Sequence, residues 1–126
     1  VSQSLNGKGK VKEINEIKDD DIILDIGFET IAKIKNIIDN SNTVLWNGPA
    51  GYYENSNFAN GTKEIIRIIT DKTFKDKIFS VAGGGETVAV INKFNKLDSF
   101  TFVSTAGGAF LEFLEGKELP GIKALN

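Results

Sequence analysis

The run SVAGGGETVAV, residues 80–90, sets three consecutive glycines between an apolar stretch and the start of a helical pattern, with an acid, Glu86, directly after. Ordering three glycines is costly, because glycine loses more backbone freedom on folding than any other residue. What such a turn provides is access. The first N–H groups of a helix are unpaired and sit at the positive end of its dipole, and with no Cβ in the way a phosphate reaches them. Further glycine turns occur at Gly27, at Gly48–Gly51 and at Gly107–Gly108. For Gly27 alone a tight connection is the simpler reading. For Gly83–Gly85 taken with Gly107–Gly108, phosphate binding is favoured, through backbone amides rather than basic side chains.

The polar residues beside these turns each have two readings. Glu86 either complements the helix dipole, worth about 0.3–1 kcal/mol, or engages a magnesium ion carried by nucleotide phosphates, since Mg²⁺ usually takes one or two protein carboxylates plus phosphate oxygens. Thr87 offers its hydroxyl to a phosphate or to nearby backbone. Glu54, in the long loop after Pro49, is a ribose acceptor or a plain surface acid. Asn47 either shapes the turn into Gly48-Pro49 or meets a ligand. Trp46, alone at a strand end, is read as core rather than as a stacking platform. Neither G-x-x-x-x-G-K-[ST] nor G-x-G-x-x-G occurs, which excludes a P-loop and weakens a dinucleotide reading.

Such turns need strands to aim them. Four times an apolar run leads through glycine into a helical pattern: DIILDIG (21–27) into FETIAKIKNIIDN, NTVLWNG (42–48) into TKEIIRIITDK, KIFSVAGGG (77–85) into ETVAVINKFNKL, and SFTFVSTAGG (99–108) into AFLEFLEG. The runs Val44–Trp46, Ile78–Val81 and Phe100–Val103 lack polar alternation, so they are expected to be strands buried on both faces. Ile31, Ile34, Ile37 and Ile38 define an apolar side for the first helix, and Ile65, Ile66, Ile68 and Ile69 for the second. Gly116 falls where a helix-ending glycine belongs. Alternating β and α at this spacing predicts an α/β fold: part of a Rossmann-like parallel sheet with helices on both faces, in three layers. In such a sheet ligands bind beyond the carboxyl ends of the strands, the edge that carries every glycine turn. Upstream, GKGKVKEINEIKDDD (7–21) reads as a polar excursion, a short strand or hairpin, with Asp19–Asp21 as a solvated turn rather than a cation site.

Composition narrows the chemistry. The 126 residues carry 15 basic and 17 acidic side chains without a long run of either sign, so no basic stripe for nucleic acid or an anionic membrane is expected. No apolar stretch approaches the roughly 20 residues of a membrane-spanning helix. Cys and His are both absent, which excludes disulfide frameworks, thiol catalysis, zinc sites built from Cys or His, and Ser-His nucleophiles. Carboxylates, lysines, Arg67, hydroxyls and amides remain, an inventory suited to positioning and charge stabilisation. The opening VSQSL lacks an initiator Met and reads like the tail of an apolar strand, so the chain is expected to be a fragment.

Taken together, these segments resemble the phosphoglycerate kinase family. VLWNGPAGYYE (44–54) is similar to its W-N-G-P-x-G-x-x-E segment and SVAGGGETVAVINK (80–93) to its G-G-G-D-[ST] nucleotide turn. FVSTAGGAFLEFLEGKELPGIKAL (102–125) resembles the closing signature S-T-G-G-G-A-x-L-E-x-L-E-G-K-x-L-P-G, and ILDIGFETI (23–31) the D-I-G-P-x-[ST] turn. The resemblance implies a cytoplasmic glycolytic enzyme that moves a phosphoryl group between ATP and 3-phosphoglycerate. Residues 1–126 would then be the second part of its C-terminal, Mg-nucleotide-binding domain, with the N-terminal substrate domain absent. It implies that Glu54 holds the ribose, that Gly84, Gly85 and Thr87 serve the phosphates with Asn47 near them, and that Ile23 and Leu24 lie near the base. Glu86 would contact Mg²⁺ through the nucleotide, and Gly107 and Gly108 would open a helix aimed at the transferred phosphoryl.

Three positions depart from the family pattern: Glu86 stands where it has Asp, Ala106 where it has the first glycine of a triplet, and Phe28 where proline is common. The family's catalytic arginine and phosphoglycerate-binding basic residues belong to its N-terminal domain, and its nucleotide-phosphate lysine to the first part of the C-terminal one. The chain alone is therefore expected to be inactive, and its unpaired sheet edge and uncovered apolar face to promote self-association; the full-length enzyme is expected to be a monomer. The alternative is a non-catalytic phospholigand-binding module that keeps the fold.

Overall fold

A computed structural model describes residues 1–125; Asn126, the last residue of the expected nucleotide-domain part, lies outside the described residues. Along the chain run α1 (Phe28–Asp39), β1 (Thr43–Asn47), α2 (Asn60–Phe74), β2 (Phe79–Gly83), α3 (Gly85–Lys93), β3 (Phe102–Ser104), α4 (Gly108–Leu114) and a last turn of helix, α5 (Pro120–Lys123). The three strands form one parallel sheet in the order β1-β2-β3. Each strand is followed by a helix, so the polypeptide returns to the same end of the sheet before each new strand begins. The result is an α/β fold.

The core follows from the isoleucine spacing. Ile65, Ile66, Ile68 and Ile69 are all buried, because α2 has neighbours on two sides: α1 and the sheet. They meet Trp46 and Ala82 from the strands and Val90 and Ile91 from α3. On α1 the expected stripe is narrower. Ile31 and Ile38 are buried, but Ile37 is 65% exposed. Six residues after Ile31, at 100° per residue, Ile37 has turned well away from the face that packs on α2.

Two further expectations are corrected. DIILDIG is not a sheet strand; Ile22 makes one isolated antiparallel bridge to Ser2, and Leu24 and Asp25 accept hydrogen bonds from the Tyr52 and Gly61 N–H groups instead of a neighbouring strand. The segment 7–21 holds a short 3₁₀ turn at Ile14–Glu16 in place of a strand or hairpin. In its aspartate run, Asp21 pairs with Lys12 at 2.5 Å and Asp20 accepts from Gln3 Nε2.

The strands are not buried equally on both faces either. Val44, Trp46, Ser80, Ala82 and Val103 point toward α2 and α3, whereas Leu45, Phe79 and Phe102 on the other face are 47%, 52% and 54% exposed. From α4, Phe110 reaches that second face, its ring so close over Gly83 that a Cβ there would lie 2.5 Å from it.

Candidate nucleotide site

The parallel register aligns the three strand ends. Asn47 lies beside Gly83, and Gly83 beside Ser104, so the loops after β1, β2 and β3 emerge at one edge. This brings Asn47, Gly84, Gly85, Glu86, Thr87, Gly107 and Gly108 together from three sequence segments.

Cross-loop hydrogen bonds brace the first two turns. Asn47 donates from Nδ2 to the Gly83 carbonyl at 2.8 Å. The Gly48 N–H donates to Thr87 Oγ1 at 2.7 Å, and the Ala50 N–H to Thr62 Oγ1 at 3.0 Å. Thr87 and Thr62 are both fully enclosed. The loop Gly48–Gly51 is thus pinned by hydroxyls from two different helices. Thr87 Oγ1, as acceptor for Gly48, keeps its own proton to donate. Gly84 has φ +93° and ψ 141°, a conformation that L side chains rarely adopt, and a Cβ there would also press on Asn47 Nδ2. Gly85 differs: it is exposed and a Cβ would meet nothing within 4 Å. Glu86 is exposed on the first turn of α3, one residue further on.

Ile23 and Leu24 approach the same edge from the side. The Tyr52 N–H donates to the Leu24 carbonyl at 2.8 Å, and Ile23–Ile26 with Pro49–Tyr52 line a cleft of about 220 Å³. Leu24 is buried in its floor, while Ile23 offers an exposed apolar side chain. Asp25, which the sequence did not single out, holds this arrangement: its Oδ2 accepts from the Gly61 N–H at 2.9 Å, satisfying an open donor at the start of α2. A larger cavity of about 630 Å³ is lined by Val11, Ile14 and Phe28 together with Ile23, Asp25 and Ile26.

Glu54 is exposed midway along the long loop between β1 and α2. The residue that relates it to α3 is its neighbour Tyr53, also missed in the sequence. The Tyr53 hydroxyl is held above its ordinary range by burial first, then by the charges of Glu54 and Glu86. Both carboxylates therefore act on one phenol. Trp46 takes no part in the site; it is buried and stacks on Phe100, with ring centroids 6.2 Å apart. Gly107, with φ +58°, precedes α4, and Gly108 begins it facing open space. No three His, Cys, Asp or Glu side chains converge as a metal cage among the described residues. An Mg²⁺ ion here would rest on Glu86 and on phosphate oxygens, its usual mode beside a nucleotide.

The arrangement is a mouth of helix N-termini, suited to phosphates, beside a small cleft of mixed polar and apolar lining. The phosphoglycerate kinase family model matches residues 1–117. The chain belongs to the phosphoglycerate kinase family. The phosphoglycerate kinase of Xanthobacter flavus is 47% identical over 121 residues, which cover 96% of this chain and 30% of the relative. That of Francisella tularensis subsp. novicida is 48% identical over 123 residues, covering 98% of this chain and again 30% of the relative. The structure of phosphoglycerate kinase from Coxiella burnetii superposes with a TM-score of 0.85 at 40% identity, over all of this chain and 31% of that one. The chain thus spans about a third of the length of the kinases it matches.

Among the described residues, no helix is long and apolar enough to cross a membrane.

Proposed function

We propose that this chain carries part of the Mg-nucleotide site of a phosphoglycerate kinase. The protein it serves would transfer a phosphoryl group reversibly between ATP and 3-phosphoglycerate, giving ADP and 1,3-bisphosphoglycerate, in the glycolysis of the cytoplasm. Residues 1–126 form the second part of the C-terminal nucleotide-binding domain in this reading, and the phosphoglycerate-binding domain is not among them. The observation that carries the proposal is Gly85. Its neighbours Gly83 and Gly84 are glycines for reasons internal to the fold, but Gly85 faces open space beside unpaired helix N–H groups. In this reading glycine leaves that space free for an approaching anion.

In this reading the N–H groups of Gly84 and Gly85 bind the phosphates, joined by the Thr87 hydroxyl, with Asn47 at their side. Glu54 accepts from the ribose, and the base lies against Ile23 and Leu24. Magnesium, bound through Glu86, supplies charge neutralisation along the phosphates. Gly107 and Gly108 present the α4 N-terminus to the phosphoryl group in transfer. Loose phosphoryl transfer asks for alignment and charge stabilisation rather than covalent catalysis, which a site without Cys or His can provide. The full-length enzyme acts as a monomer; the chain alone self-associates through the exposed Leu45–Phe79–Phe102 face.

Calorimetric titration with MgADP, alongside turnover assays with ATP, Mg²⁺ and 3-phosphoglycerate, tests this. The full-length protein is expected to bind MgADP and turn over, and the chain alone to give no turnover. A full-length protein that stays inactive both as it is and as Glu86→Asp would overturn the kinase reading in favour of a non-catalytic phospholigand module.

A further inference from the structure

The loop between β1 and α2 does more than connect them, because it lays Tyr53 along α3. Lys93 Nζ donates to the Tyr53 carbonyl oxygen at 3.1 Å and stands 5.5 Å from the centroid of the same residue's ring. One ammonium group therefore holds Tyr53 by backbone and side chain together. Glu86 and Lys93 are seven residues apart on α3, two turns along one face. Tyr53 itself is partly buried against the main core cluster. It is the joint between the loop bearing Glu54 and the helix bearing Glu86.

We propose that Lys93 is a positioning residue for the nucleotide: by clamping Tyr53 it holds the Glu54 loop against α3. The inference rests on the reading of this edge as a nucleotide site. Lys93 stands at the opposite end of α3 from the glycine turn and acts through Tyr53. Each of its two contacts is modest at an exposed position. Without them the loop has to be ordered when the nucleotide binds, and that cost falls on affinity rather than on the chemical step.

The test uses the full-length kinase carrying this chain. Lys93→Met keeps the aliphatic stem and removes the donor and the charge. It is expected to raise both Kd and KM for MgADP about three- to tenfold. The maximal rate and the KM for 3-phosphoglycerate should stay within about twofold of wild type, and Lys93→Arg, which keeps donor and cation, should restore MgADP affinity. Tyr53→Phe preserves both contacted groups and should bind MgADP like wild type.

Unchanged MgADP affinity in Lys93→Met overturns the clamp. So does a loss that Lys93→Arg fails to restore, or one in which the maximal rate falls in step with affinity. Failure of the wild-type protein to bind MgADP at all would overturn the site reading itself, and the clamp with it.

Discussion

The two glycine turns look alike in the sequence and are built differently. At the β2–α3 turn, Asn47 and Thr87 reach across from neighbouring segments to brace the backbone, and Phe110 lies against Gly83. At the β3–α4 turn the brace is local: Ser104 Oγ accepts from the Ala106 N–H at 3.3 Å, and α4 leaves Phe113 and Leu114 exposed. Each turn has one glycine with a positive φ, Gly84 or Gly107; Gly85 faces open space in the first turn, and both Gly107 and Gly108 do in the second. The first turn is therefore pre-shaped by this chain alone. The second presents a correct backbone with much less support, so its position depends more on what packs against α4.

The largest effect expected from breaking this contrast is at Gly84. Alanine there must adopt a backbone reserved for glycine, costing about 1–3 kcal/mol, and it also displaces Asn47. Gly84→Ala should lower Tm by several degrees and weaken MgADP binding more than tenfold, on the order of the same energy. Gly107→Ala meets the same kind of backbone strain at φ +58°, but its Cβ meets no neighbour, so it should cost less than Gly84→Ala. Equal losses from the two, measured by urea denaturation, would erase the distinction.

Thr87→Val comes next. It keeps the shape but removes the acceptor for the Gly48 N–H, and a partly buried donor left unmet costs about 1–3 kcal/mol. Denaturation midpoints should drop with little change in slope. Gly85→Ala sharpens the contrast from the other side. Its stability should hold within about 0.5 kcal/mol or rise slightly, while MgADP affinity falls. Loss of stability without loss of binding would assign Gly85 to the fold instead.

The smallest effect is far from both turns, at Asp39. Lys35 and then Lys72 hydrogen-bond its carboxylate at 2.5 and 2.7 Å and hold its pKa at about 2, below the ordinary 3.8. A depressed carboxylate stabilises the fold above the unfolded value, and this contribution disappears as pH falls through the folded one. The Tm difference between wild type and Asp39→Asn should thus be constant above about pH 4–5 and shrink toward pH 2. A difference that persists in full at pH 2 would show that the effect is not ionic.

Much of the architecture could be read from local pattern. Gly116 ends α4 with φ +80°, and the apolar runs around Val44, Ile78 and Phe100 lie in or directly before the three strands. DIILDIG misled because an apolar run followed by glycine describes a strand equally well as an extended segment. Its fate was decided by partners elsewhere: Tyr52, which takes the Leu24 carbonyl, and Gly61, which takes Asp25. Lys93 and Tyr53, 40 residues apart, carry no periodic or motif signal that pairs them.

The sequence by itself determined the elements, their order and the glycine turns at the strand ends, because spacing, β-branching and missing side chains act on the chain locally. It also carried the family. Only the tertiary structure decided which glycines the fold requires and which stand open, and which face of the sheet is left exposed. Those outcomes depend on contacts such as Phe110 on Gly83 and Asn47 on Gly84, between residues brought together by parallel strand pairing and by nothing adjacent in the sequence.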